Sequence, residues 1–279
     1  VIDWFAHAGR DLPWREQDAT PWAILVSEVM LQQTPVVRVL PRWRDWMARW
    51  PTPADLADAP TSEVLVAWDR LGYPRRALRL QECARKLVAE HGGQLPSDPD
   101  VLRSLPGIGE YTAAAITAFA HHQHAVVADT NVRRVLARAV RGEERPGTGW
   151  TAAERAMVAA QVPEERERSV RWNQAVMELG ALVCTARSPR CEQCPLESVC
   201  RWYRAGRPES TVPRPRPQGF EGTDRQMRGM IMAVLRTAPS TRPNLALLDE
   251  QDPARVQRCL DSLLADGLAV REGDVIRLP

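Results

Sequence analysis

From residue 20 to about residue 184, apolar positions recur every three or four residues, and no run alternates long enough to make a strand. "TPWAILVSEVMLQQ" opens on Thr20 and Pro21, a helix-start pair. Short helices are then expected over 61–72, 75–92, 98–107, 111–122, 130–140 and 171–184, with Gly and Pro between them. The pattern predicts an all-α body to about Arg204. "AGRPESTVPRPRPQGFEG" is rich in Pro, Arg and Gly and reads as a linker, over 205–223. Beyond it, 224–236 and 252–267 carry helical periodicity, and "LAVREGDVIRL" reads as a hairpin around Glu272-Gly273-Asp274. The expected division is a body over 1–204 and a small winged-helix-like module over 224–279. No internal repeat is visible.

At 279 residues the chain is long enough for two or three domains. It has no long uncharged apolar run, so no membrane span is expected. "VIDWFAHAGRDLPWR" lacks the basic-then-apolar order of a signal peptide, and the expected location is the cytoplasm. Thiols stay reduced there, and clustered cysteines bind metal more often than they pair. No coiled-coil segment is visible, and a monomer is expected. The net charge is only +2, so any nucleic-acid surface must come from arginines gathered on one face. Lys86 is the only lysine, which leaves almost no side chain able to form a Schiff base.

Four of the six cysteines, Cys184, Cys191, Cys194 and Cys200, share one short loop. Four thiolates there suit a 4Fe–4S cubane or a tetrahedral zinc ion. The uneven spacing is unlike the matched pairs of zinc knuckles. In "LPGIGEYTAAAI", Gly107 and Gly109 flank Ile108 between two helices, allowing close backbone approach and exposing N–H groups at the second helix start. The pattern resembles the helix–hairpin–helix motif that grips a nucleic-acid backbone without reading its sequence. Asp129, in "VVADTNVRRVLAR", precedes a helix; it is an N-cap, a carboxylate facing a bound sugar, or both. Glu28 shares a helix face with Ile24, Leu25 and Leu31. A carboxyl there has a raised pKa and can donate a proton near neutrality, unless it is a buried acid paired with an arginine such as Arg15.

Taken together, the Cys-x6-Cys-x2-Cys-x5-Cys loop, the Leu-Pro-Gly-Ile-Gly hairpin and the following Asp resemble the endonuclease III superfamily of base-excision DNA glycosylases. "LPWR" (12–15), "SEVMLQQT" (27–34), "LGY" (71–73), "DTNVRRVLAR" (129–138) and "MELGALVCT" (177–185) resemble its adenine DNA glycosylase family, MutY. The resemblance implies a two-lobed helix–hairpin–helix glycosylase whose four cysteines hold a 4Fe–4S cluster. It also implies a duplex DNA partner carrying adenine opposite 8-oxoguanine or guanine. By the same resemblance Glu28 is the acid that protonates adenine, Asp129 stabilises the sugar cation, and Asn131 and Tyr111 support them. Trp14, Arg15, Leu31, Val36 and Glu178 match positions around the adenine pocket, and Gln33 and Tyr73 match residues that probe the duplex. Gly107, Ile108, Gly109 and Thr112 match the backbone-gripping hairpin. Arg187, Arg190 and Arg201 match the phosphate-facing charges of the cluster loop.

The chain departs from this pattern in two places. Pro74 stands where the family often has a second Tyr, and 206–279 is too short for the Nudix-like domain that checks 8-oxoguanine in the familiar members. A thymine or uracil mismatch glycosylase would share the hairpin, the Asp and the cluster, but excising adenine needs a proton donor such as Glu28. A lyase for oxidised pyrimidines would carry a lysine at the Tyr111 position. A non-enzymatic iron–sulfur DNA-binding regulator would not need the two carboxylates.

Overall fold

The structure, a computed structural model, describes residues 1–211 and 219–279. Of the expected linker over 205–223, residues 212–218 lie outside the described residues. The chain forms two compact units, each discontinuous in sequence. One comprises Val1–Glu28, Pro96–Ser104 and Ile108–Pro215; the other comprises Val29–Leu95, Leu105–Gly107 and Arg216–Pro279.

The first unit is built on the helices Glu110–Phe119, Thr130–Leu136 and Arg166–Leu182. Val132, Val135, Leu136, Val176 and Leu179 form its core, with Trp4, Trp150 and Trp172 packed partly against it. A second nucleus gathers Ala115, Ala118 and Val127. The small residues of "TAAAITA" make that close packing possible, because a bulky side chain there would hold the neighbouring segment away. Gly180 does the same inside Arg166–Leu182: a Cβ on it would lie 2.6 Å from the Cβ of Asn131. The start of Thr130–Leu136 can therefore sit directly on that helix. Thr130–Leu136 continues into a wider π turn, Ala137–Arg141.

The second unit centres on Trp46, which meets Trp50 and Trp68 edge to face at centroid distances of 5.0 and 5.5 Å. The helix Val36–Arg49 is absent from the expected set. Pro41 interrupts its pattern but lies on the exposed side, while Val39, Trp43 and Trp46 bury one face at helical spacing. The C-terminal residues run in the order helix Asp224–Thr237, β1 Ser240–Thr241, helix Arg242–Ala246, helix Pro253–Ala265, β2 Val270–Glu272 and β3 Val275–Arg277. The strands form one antiparallel sheet in the order β1-β3-β2, with Ser240 opposite Ile276 and Arg271 opposite Ile276 on the other side. This is the element order of a winged helix. Gly273, at φ +60, turns the expected hairpin. Within this unit the module reaches the helix Thr61–Trp68 through Arg236, whose Nε donates to the Leu65 carbonyl at 3.3 Å.

Candidate active site

Glu28 lies on Pro21–Leu31, a helix apolar on nearly every side and buried from Trp22 to Met30. The residue is 6% exposed, and burial pushes its carboxyl pKa up from 4.5 to about 7. The Tyr111 hydroxyl donates to Glu28 Oε2 at 3.0 Å and moderates the shift, while the nearby charge of Asp129 adds to it. Both carboxylates also push the buried Tyr111 phenol upward, after desolvation. Three groups from three elements thus share one buried cluster, with the two acids acting electrostatically on each other.

Asp129 is the N-cap of Thr130–Leu136. Its Oδ1 accepts from the backbone N–H groups of Asn131 (2.9 Å) and Val132 (2.7 Å), and its Oδ2 from Asn131 Nδ2 (2.6 Å). Burial raises its pKa on balance, and these three donors hold that rise down by stabilising the charged form. Asp129 is therefore both a helix cap and a neighbour of Glu28.

Arg15 bonds Glu178, not Glu28: its Nη2 donates to Glu178 Oε2 at 2.9 Å. Arg10 forks onto both Glu178 oxygens, Nε to Oε1 at 2.7 Å and Nη2 to Oε2 at 2.9 Å. Glu178 is 1% exposed. Burial alone would raise its pKa, but the two arginines outweigh it and bring the carboxyl down to about 2. Trp14, in the short turn Pro13–Arg15, is buried beside them in sequence.

In the hairpin, Gly107 has φ +80 and Gly109 caps the helix Glu110–Phe119 in extended conformation. Both glycines are exposed, while Leu105 and Ile108 are buried and anchor the turn. Thr112 differs from expectation: its side chain is buried, 3% exposed, because it falls on the inward face of the helix one turn in.

Leu31, Gln33, Val36 and Tyr73 belong to the second unit. Leu31 and Val36 are half-buried; Gln33 and Tyr73 are exposed and hold positive φ, +55 and +47. One side chain braces both turns. Arg76 donates from Nη1 to the carbonyls of Val29 (2.8 Å) and Gln32 (2.6 Å), and from Nη2 to Thr34 Oγ1 (3.1 Å), Leu71 O (3.2 Å) and Gly72 O (3.0 Å).

Cys184, Cys191, Cys194 and Cys200 line one cavity with Val183, Pro189, Trp202 and Arg138. Among the described residues, no three Cys, His or carboxylate side chains close on a single metal ion. Four sulfurs around one cavity that do not converge on one ion suit a cluster better than zinc. Burial and the neighbouring thiols raise the Cys194 thiol to about 11, a charge conflict that a bound cationic group resolves. Arg138 Nη1 donates to Cys184 Sγ at 3.3 Å and to the Thr185 carbonyl at 2.8 Å, and its guanidinium stacks 4.6 Å over Trp202. Arg187, Arg190 and Arg201 are exposed around the loop, and Arg190 also donates to the Leu182 carbonyl.

Residues 26–158 match the model of the HhH-GPD superfamily base excision DNA repair proteins, and residues 184–200 match the iron–sulfur binding domain of endonuclease III. The adenine DNA glycosylase of Mycobacterium tuberculosis is 50% identical over 276 residues, covering 98% of this chain and 90% of that protein. The chain belongs to the adenine DNA glycosylase family. It is a base-excision DNA glycosylase, and its cysteine loop binds a 4Fe–4S cluster. Among solved structures, a thermostable thymine-DNA glycosylase superposes with a TM-score of 0.67 at 27% identity, covering 73% of this chain and 93% of that one. A non-covalent endonuclease III–DNA complex superposes at 0.61 with 23% identity, covering 74% and 92%, and shares the fold.

Sequence reasoning missed Arg10, Arg134 and Gly180. Arg134 Nη2 donates to Asn131 Oδ1 (2.8 Å) and Gly180 O (2.7 Å), and its Nε to Cys184 O (2.8 Å). Arg134 and Arg138 stand four residues apart, on one helix face, which is a readable signal. Gly180 inside a strong helical pattern is another. Arg10 pairs across 168 positions, and nothing local announces that.

Proposed function

We propose that this protein removes adenine mispaired with 8-oxoguanine or guanine from duplex DNA and stops at the abasic site. The observation that carries this reading is the buried cluster of Glu28, Tyr111 and Asp129: one acid poised to be neutral near pH 7 beside one whose charged form three donors stabilise. With adenine extruded from the stack, neutral Glu28 gives its proton to N7. The C1′–N9 bond then breaks with its electron pair going to the base. Asp129, fixed by Asn131, stabilises the positive charge left on the sugar, and water adds at C1′ with loss of a proton. The logic is that of two-carboxylate glycosidases.

Tyr111 stands where strand-cutting relatives carry lysine, and Lys86 is the only lysine, on the helix Arg75–His91 of the second unit. The enzyme is therefore monofunctional. When bound, the 4Fe–4S cluster orders its loop and the exposed arginines Arg187 and Arg201 for phosphate contact. The chain works as a catalytic body over 1–204 joined by the linker to the C-terminal module. Reduced thiols suit the cytoplasm as its compartment.

The test uses duplexes with A opposite 8-oxoguanine, A opposite G, T opposite G and U opposite G, followed by alkaline cleavage of abasic sites. Adenine excision that is lost in Glu28→Gln and Asp129→Asn is the expected result. Preferred release of thymine or uracil would overturn the reading, and a covalent adduct trapped by borohydride in good yield would overturn its monofunctional part.

A further inference from the structure

The C-terminal module is electrically balanced: residues 224–279 hold eight arginines and eight acidic residues. Four of its eight arginines are spent internally. Arg228 pairs with Asp266 at 2.6 Å, Arg255 with Asp224 and Asp249, Arg242 with Asp261, and Arg277 with Glu272. The helix Pro253–Ala265 turns Arg258 outward together with Asp261, and the β2–β3 hairpin turns Arg271 outward together with Glu272 and Asp274. Neither element presents the basic face that a phosphate grip requires.

Among the described residues Arg225, like Arg258 and Arg271, pairs with no carboxylate, but Arg225 lies against aromatic rings. Its guanidinium carbon lies 4.9 Å from the ring centre of Tyr73 and 5.8 Å from that of Phe220. Both rings are open to solvent, Tyr73 47% and Phe220 54% exposed. Tyr73 sits on a turn with φ +47 after Gly72 at φ +83, and Arg76 clamps that turn through the Leu71 and Gly72 carbonyls. A non-glycine residue held at positive φ by such a brace marks a functional position more often than a packing one. Exposed aromatic rings enclosing an unneutralised planar cation are what a nucleic-acid base stacks on and hydrogen-bonds to. A cation needed only for a phosphate gains nothing from two rings that fix its plane. Bidentate recognition of a base edge does, and the edge that suits arginine is the acceptor pair of a guanine.

We propose that Arg225, clasped by Tyr73 and Phe220, is a specificity-determining DNA contact that donates to the guanine-type base left in the duplex opposite the excised adenine. It rests on the adenine-excision reading above. It gives the short C-terminal module a direct part in substrate choice.

Single-turnover excision of adenine opposite guanine, 8-oxoguanine and cytosine tests it, in wild type and in Arg225→Ala and Phe220→Ala, with melting temperature and iron absorbance confirming that each variant is folded. Equilibrium binding to duplexes bearing an abasic analogue opposite guanine or cytosine adds a readout that needs no catalysis. In Arg225→Ala the guanine-to-cytosine ratio is expected to fall about tenfold in both measurements, with Phe220→Ala moving it the same way. An unchanged ratio overturns the proposal. So does a uniform loss across all duplexes with a shallower salt dependence, which marks a phosphate contact. A wild type that excises no adenine from any duplex removes the parent reading and this one with it; an active wild type with an unmoved ratio removes this one alone.

Discussion

Replacing Glu28 by Gln separates the chemistry of this site from its cost. The carboxyl is held at about 7 instead of 4.5, chiefly because its ionised form has no water around it. A displacement of that size corresponds to about 3 kcal/mol between the two protonation states. Since the folded pKa is the higher one, the acid's favourable contribution is complete below pH 4.5 and is lost as pH rises through 7. Gln cannot ionise, and its carbonyl can still accept from Tyr111. Glu28→Gln should therefore match wild type only well below pH 4.5, exceed it by about 1 kcal/mol at pH 5, and exceed it by about 3 kcal/mol at pH 8.5. Urea unfolding followed by circular dichroism at several pH values reads this directly. The same substitution should slow adenine excision by about 10²- to 10⁴-fold, the usual worth of a positioned general acid. Parallel stability curves for the two proteins across pH 5 to 8.5 would refute the claim that burial raises this carboxyl, whatever happened to the rate.

The wild-type single-turnover rate should itself fall as pH rises through about 7, as Glu28 loses the proton it donates. Gly180→Ala should cost about 1–3 kcal/mol and reduce excision, since the new Cβ would sit 2.6 Å from the Cβ of Asn131, the residue that fixes Asp129; a melting curve and a rate measured together check it. Arg10→Ala should destabilise the fold by about 1–3 kcal/mol by stripping two hydrogen bonds from buried Glu178. Glu178's contribution is present above pH 4.5 and is lost as pH falls through about 2, so acid unfolding of this variant should begin at higher pH than in wild type. Arg138→Leu should lower iron content, because it removes the donors to Cys184 Sγ and to the Thr185 carbonyl; visible absorbance and iron per protein measure the loss.

The short-range features of this chain could be read from its sequence. Helical periodicity, Gly-x-Gly between helices, Asp before "TNVRRVLAR" and four cysteines within seventeen positions each announce themselves because the residues involved are near neighbours on one helix, turn or loop. Even the raised pKa of Glu28 followed from its own helix face. The helix Val36–Arg49 escaped because Pro41 breaks the local pattern, while the burial of its tryptophans depends on Trp68, far along the chain. What surrounds each functional group was decided only when distant segments met. Tyr111 reaches Glu28 across 83 positions, Arg10 reaches Glu178 across 168, and Arg225 settles on Tyr73 from another module altogether. The sequence determined which groups could ionise, cap, bind iron or turn the backbone, since those properties belong to a residue and its near neighbours. The tertiary structure alone decided that Arg15 and Arg10 go to Glu178 and leave Glu28 beside Tyr111, and that Arg225 settles against two rings. Those outcomes depend on desolvation and on partners brought together by packing, and a linear pattern carries neither.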